Sequence, residues 1–148
     1  MIKIRKKLLG FTLIELLVVI SIIGILASFL FANFVGIRQR SRDGVRKSDL
    51  RQIQSALELY RADKGNYPDS LPVCGSPFTD GSSTPVVYMQ KISCDPSGGG
   101  TSYTYIPSGT NNSSYTLIAC LENSGDSQRD GTLDSRCTTP ASYTVANP

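Results

Sequence analysis

A single carboxylate, Glu15, stands at the head of a run that carries no other charge. From Leu16 to Ile37 there are 22 uncharged residues, rich in Ile, Leu, Val and Phe. An ionised carboxylate in hydrocarbon costs on the order of 2.5–3.5 kcal/mol even on lenient insertion scales, so Glu15 requires a compensating partner. A second set of reactive side chains is the four cysteines, Cys74, Cys94, Cys120 and Cys137. With no histidine anywhere and no C-x-x-C, a structural zinc site is the poorer reading and disulfides the better one. Three pairings exist; the sequential one, Cys74 with Cys94 and Cys120 with Cys137, is expected because each bridge closes a modest loop in a part of the chain poor in large apolar residues. The lack of histidine also removes the commonest general base, and neither G-x-S-x-G nor a phosphate-binding glycine loop occurs, so no enzyme is expected.

The elements that must carry these residues follow from periodicity and charge. At 1.5 Å per residue the uncharged run reaches roughly the 30 Å of a bilayer core. Lys3, Arg5, Lys6 and Lys7 precede it, which by the positive-inside bias keeps the N-terminus cytoplasmic and sends residues 38–148 across. Charge splits accordingly: +7 over residues 1–64 and −4 over residues 65–148. Residues 11–64 contain no proline and read as one long helix, with Gly24, Gly36 and Gly44 as weak points or places of close approach. Beyond Arg38 the helix becomes amphipathic, with Leu50, Ile53, Leu57 and Tyr60 recurring at intervals of three and four beside Ala56. Gly65 and Pro68 end it.

The remainder reads as short strands in "PVVYMQKISC", "TSYTYIP" and "SSYTLIAC", separated by loops such as "GSPFTDGSST", with an edge strand in "SYTV". Tyr103 and Tyr105 share one face of their strand, and Tyr115 and Leu117 one face of the next. The expected fold is α+β: a long N-terminal helix whose second half packs against a small antiparallel β-sheet, stabilised by disulfides. The expected layout is a leader over 1–10, a transmembrane and assembly half-helix over 11–37, an amphipathic half-helix over 38–64 and a β-rich globular region over 65–148.

A cleaved secretory signal fits poorly, because the apolar region is too long and no small-residue cleavage box ends it. The stretch "KKLLGFTLIELLVVISIIGILA" instead resembles the class III signal of type IV pilins and type II secretion pseudopilins. That resemblance implies cleavage between Gly10 and Phe11 by a prepilin peptidase that also methylates the new amine of Phe11. It implies that Thr12 and Glu15 serve assembly, Glu15 pairing with the N-terminal amine of a neighbouring copy where an unpaired charge is costly. The implied partners are further copies in a helical filament, the peptidase, an inner-membrane assembly platform and the lipid bilayer. The implied location is the cytoplasmic membrane, then a periplasmic or surface filament.

A second resemblance lies in "DLRQIQSALELYRADKGNYPDSLP", which is similar to the helix end of type II major pseudopilins, where Tyr60, Gly65, Tyr67 and Pro68 supply the family's pattern. Such pseudopilins carry calcium in a C-terminal loop, and Glu122, Asp126, Asp130 and Asp134 are the oxygen ligands this chain offers for it. The spacing of four matches no EF-hand loop, so solvated loop acids are the competing reading. Cys120 and Cys137 resemble in position the C-terminal disulfide of type IVa pilins, which favours a pilus-like filament subunit. The alternatives are a type II major pseudopilin and, from a different class, a membrane-anchored binding module that does not polymerise. The basic cluster of Arg38, Arg40, Arg42, Arg46, Lys47 and Arg51 has DNA phosphates as a lesser reading; its first few members sit just outside the apolar run, where anionic lipid or acidic patches on neighbouring subunits also attract them.

Overall fold

The computed structural model describes residues 10–148, and for residues 29–33 the backbone alone. Among the described residues one helix, α1 (Leu13–Lys64), is followed by five strands: β1 (Phe78–Thr79), β2 (Val87–Met89), β3 (Thr104–Ser108), β4 (Ser114–Leu121) and β5 (Ala141–Ala146). The chain divides into two units, the first ending at Ile37 and the second running from Arg38 to Pro148.

In the first unit α1 is mostly Leu, Ile, Val and Phe, with Ser21 and Ser28 among its few polar residues. Ser21 and Ser28 return their hydroxyls to the carbonyls of Leu17 and Ile25, at 2.8 and 2.7 Å. Their polar atoms are thereby satisfied within the helix.

In the second unit the expected stripe forms the helical side of the core. Leu50, Ile53, Ala56 and Leu57 are buried, and Tyr60 packs against the same cluster. Opposite them, Tyr115, Leu117, Ala119 and Leu121 take alternate positions of β4, as the period of two requires, and Ala141, Tyr143 and Val145 do so on β5. Full burial of each large apolar side chain contributes about 1.5–3 kcal/mol, so this face supplies the main cohesion. The sheet is antiparallel in the order β3-β4-β5, with Tyr105 opposite Leu117 and Ala119 opposite Tyr143. Pro107 lies in β3, an edge strand, where a missing N–H is tolerated.

The helix stops where the glycine stands. Gly65 adopts φ +83°, and its N–H donates to the Arg61 carbonyl at 2.8 Å, a left-handed cap. Tyr67 then turns inward, fully buried, edge-on to Tyr115 at 4.5 Å between ring centres. Its hydroxyl donates to Glu58 at 2.8 Å and accepts from Arg61 at 3.1 Å.

Two strand expectations need correction. "GSPFTDGSST" was expected to be loop, yet it contains β1, which pairs with β2 in a separate two-stranded sheet. One aromatic suffices: Phe78 is buried, stacked on Tyr60 at 5.3 Å and tilted against Tyr88 at 5.5 Å. In "PVVYMQKISC" only Val87–Met89 is strand. Ile92 leaves the ladder for a local exchange, donating to Ser76 at 2.9 Å and accepting from Gly75 at 2.7 Å, beside the Cys74–Cys94 bridge. The second bridge joins Cys120 to Cys137, and among the described residues no cysteine is free.

Candidate functional site

The N-terminal candidates meet at the first turn of α1. Thr12 offers both its backbone N–H and its hydroxyl to Glu15 Oε2, at 3.1 and 3.0 Å, and the Glu15 N–H returns to Thr12 Oγ1 at 3.3 Å. This is a reciprocal capping box, T-x-x-E, which satisfies helix-end donors that would otherwise lack partners. Within the chain Glu15 is therefore compensated by neutral donors. Gly10 and Phe11 precede the cap and are exposed, Phe11 at 83 %. The large apolar side chains that follow, from Leu13 to Leu26, are 47–81 % exposed and point to every side of the helix. A helix that is apolar all round needs an apolar environment all round. Among the described residues no helix is long and apolar enough to cross a membrane; the uncharged run of the sequence includes residues 29–33, whose side chains lie outside the described set. The leader residues 1–9, with Lys3, Arg5, Lys6 and Lys7, also lie outside the described residues.

A second polar constellation lies in the globular unit and was not anticipated. Asp43 and Arg46 are buried, at 0 and 2 % exposure. Asp43 accepts from the backbone N–H groups of Glu122 and Asn123, at 3.0 and 2.8 Å, and from Arg46 Nη1 at 2.6 Å. Arg46 in turn donates Nε and Nη2 to the two carboxylate oxygens of Asp95, at 2.7 and 2.9 Å, and Nη2 also to Glu122 at 2.8 Å and to Ser97. Arg42 adds a two-pronged contact to Glu122, one prong 2.8 Å long. Lys47 pairs with Asp126 at 2.8 Å.

Electrostatics follow from this packing. Burial alone would depress the Arg46 guanidinium, but its bonds to Asp95, Glu122 and Asp43 raise it above its ordinary value. Burial pushes the Asp95 carboxyl up, and the hydrogen bonds from Arg46 and Ser97 outweigh it, holding the group at about 2. Glu122 is held at about 2, chiefly by Arg42 and also by Arg46. With every member ion-paired or hydrogen-bonded, the constellation fastens chain segments together and is not poised to transfer a proton.

The acidic tail residues do not converge. Glu122 is committed to the two arginines and Asp126 to Lys47. Asp130 accepts from Ser142 Oγ and from the N–H and hydroxyl of Thr144, while Asp134 pairs with Arg136. Among the described residues no group of three or more His, Cys, Asp or Glu side chains is arranged to hold a metal ion. As placed, Glu122, Asp126, Asp130 and Asp134, the residues expected as one calcium ligand set, each have donors of their own. Of the basic cluster, Arg42, Arg46 and Lys47 pair with acids of their own domain, and Arg51 lies 6.0 Å from the centre of the Tyr143 ring. Sequence reasoning ended the stripe at Leu50, at the first charge; extending its three-and-four spacing backwards lands on Arg46 and Asp43.

Similarity to other proteins agrees with both halves of this description. The sequence model for the prokaryotic N-terminal methylation motif matches residues 5–31, and that for type II secretion system protein G matches residues 33–136. The type II secretion system core protein G of Pseudomonas aeruginosa is 30 % identical over 113 residues, 72 % of this chain and 78 % of that protein. Its counterpart in Klebsiella michiganensis is 33 % identical over 102 residues, 64 % of this chain and 72 % of that protein. The type IV major pilin protein PilA of Myxococcus xanthus is 40 % identical over 60 residues, 40 % of this chain and 27 % of the pilin. No solved structure matches the chain. An apolar helix headed by the methylation motif, joined to a disulfide-bridged sheet domain that matches protein G over most of its length, places the chain in the type II secretion system protein G family of pilin-like proteins.

Proposed function

We propose that the chain is a structural filament subunit of the pseudopilin type, cut between Gly10 and Phe11, methylated on the Phe11 amine and polymerised through its apolar helix. The observation that carries this reading is the first unit: Leu13 to Leu26 present apolar side chains on every side, 47–81 % exposed. Lipid covers such a surface before assembly and neighbouring copies cover it afterwards. On this reading residues 1–10 are the leader, 11–37 the membrane and assembly segment, 38–64 the amphipathic half of the helix and 65–148 the globular region. A prepilin peptidase and an inner-membrane platform are its processing and assembly partners. The subunit starts in the cytoplasmic membrane with residues 38–148 outside it, and ends in a periplasmic filament.

Glu15 then has successive partners. Its carboxylate is held by Thr12 in the isolated chain and takes a charged partner, the amine of a neighbouring Phe11, on assembly. Service in type II secretion is supported by the protein G match over residues 33–136. A type IV pilus is the second reading, favoured by the C-terminal Cys120–Cys137 bridge and the likeness to the Myxococcus pilin.

The test begins with the intact mass of the protein from its native membrane. Loss of residues 1–10 and a gain of about 14 Da on Phe11 is expected, the increment of one methyl group; an unprocessed N-terminus in a host with active peptidase refutes the reading. Glu15→Gln then isolates the charge. Glutamine serves a capping box as glutamate does, so α1 and membrane insertion are retained while filament yield collapses. In a strain lacking the chain, retention of secreted proteins inside the envelope supports the secretion role, and loss of surface pili with normal secretion supports the pilus.

A further inference from the structure

Residues 43, 46, 50, 53, 57 and 60 follow one another at intervals of three and four, so they form one seam along α1. Its last four members are Leu50, Ile53, Leu57 and Tyr60; its first two are Asp43 and Arg46, as buried as the leucines. Stability alone does not call for charges there, because replacing a buried ion pair by well-packed apolar residues is often neutral or stabilising. What an ion pair adds is selectivity. An apolar stripe on an apolar sheet face accepts more than one register: sliding by one turn, about 5.4 Å, brings similar side chains back to the same face. The charged pair cannot follow such a slide. It would lift Asp43 from the N–H groups of Glu122 and Asn123 and Arg46 from Asp95 and Glu122. Those partners come from two separate segments, one directly after Cys94 and one directly after β4, so the pair reports on the placement of both.

We propose that Asp43 and Arg46 are positioning residues that act as a register key, selecting one docking of the sheet on α1. They contribute uniqueness of packing more than net stability. In an array of copies the key makes every subunit present the same surface. That consequence rests on the filament reading; the key itself does not.

Two ion pairs of α1 make the register measurable, Lys47 with Asp126 and Lys64 with Asp80, each 2.8 Å long. Carbodiimide joins only amines and carboxylates in direct contact. Applied to the purified full chain in detergent, with the products mapped by peptide mass spectrometry, it should give Lys47–Asp126 and Lys64–Asp80 as the dominant links. In the double variant Asp43→Leu/Arg46→Met the melting temperature should hold, while Lys47–Asp126 is lost as the single product and Lys47 becomes linked to several carboxylates. Retention of that single product at full yield overturns the key. A large fall in melting temperature with both links retained also overturns it, because the pair would then supply stability and not selection. If both links vanish, the double variant has failed to fold, and Asp43→Asn/Glu122→Ala decides, since it loosens the pair from the segment that carries Asp126 and leaves Arg46 on Asp95. Scattered Lys47 links in that variant support the key; a single Lys47–Asp126 link overturns it. Filament yield in the same variants bears on the array consequence alone: normal filaments from subunits with scattered links would overturn that consequence and leave the key standing.

Discussion

Asp43→Ala removes one half of a buried pair and should be far more damaging than replacing both halves. The carboxylate accepts two backbone N–H groups, those of Glu122 and Asn123 at 3.0 and 2.8 Å, and Arg46 at 2.6 Å. Each orphaned donor costs about 1–3 kcal/mol. Arg46 keeps Asp95 and Glu122, so the charge contribution stays below the ~3–5 kcal/mol of a fully broken buried pair. Water entering the vacated space offsets part of the loss, which places the total at about 3–4 kcal/mol. At about 4–6 °C per kcal/mol for a domain of this size, the midpoint of thermal unfolding, followed by near-ultraviolet tyrosine signal, should fall by about 12–24 °C. Asp43→Asn retains one acceptor and should lose about half as much. An Asp43→Ala midpoint within about 2 °C of the unaltered chain would refute the accounting, since it would mean that the two N–H groups and Arg46 find water or other partners without penalty.

Acid should weaken the same seam. Glu122, ordinarily near 4.5, and Asp95, ordinarily near 3.8, are both held at about 2 in the folded chain. Their contribution is present in full above pH 4.5 and is lost as pH falls towards 2, so melting temperatures should be level from neutrality to about pH 5 and drop steeply below pH 4; a level profile down to pH 2 contradicts the assignment. Gly65→Ala should cost about 1–2 kcal/mol in denaturant titration, because the φ of +83° is strained for an L-residue while the space around a new Cβ is open; an unchanged midpoint would show that the cap relaxes. Tyr67→Phe keeps the buried ring but leaves Glu58 and Arg61 without its hydroxyl, for a loss of about 1–2 kcal/mol. Truncation to alanine should cost about 3–5 kcal/mol, and equal losses for the two variants would refute the division between ring and hydroxyl.

Local rules were enough for α1, its apolar and amphipathic halves and the Gly65 stop, because helices and their stops are written within a few consecutive residues. The same holds for the alternation of Tyr115 and Leu117 on β4, and the sequential cysteine pairing followed from loop length. Tertiary structure decided what depends on distant partners. Phe78 makes a strand out of a stretch that reads as loop, because Tyr60 and Tyr88 are waiting for its ring. Of the acids after β4, Glu122 and Asp126 pair with arginines and a lysine of α1, because the register of β4 brings Glu122 opposite Arg42 and Arg46. Asp43 and Arg46 read as solvated charges in the sequence, since hydropathy assigns a charged residue to water. Only the arrival of Asp95, Glu122 and two backbone N–H groups from segments about 50 and 80 residues away turns them into core.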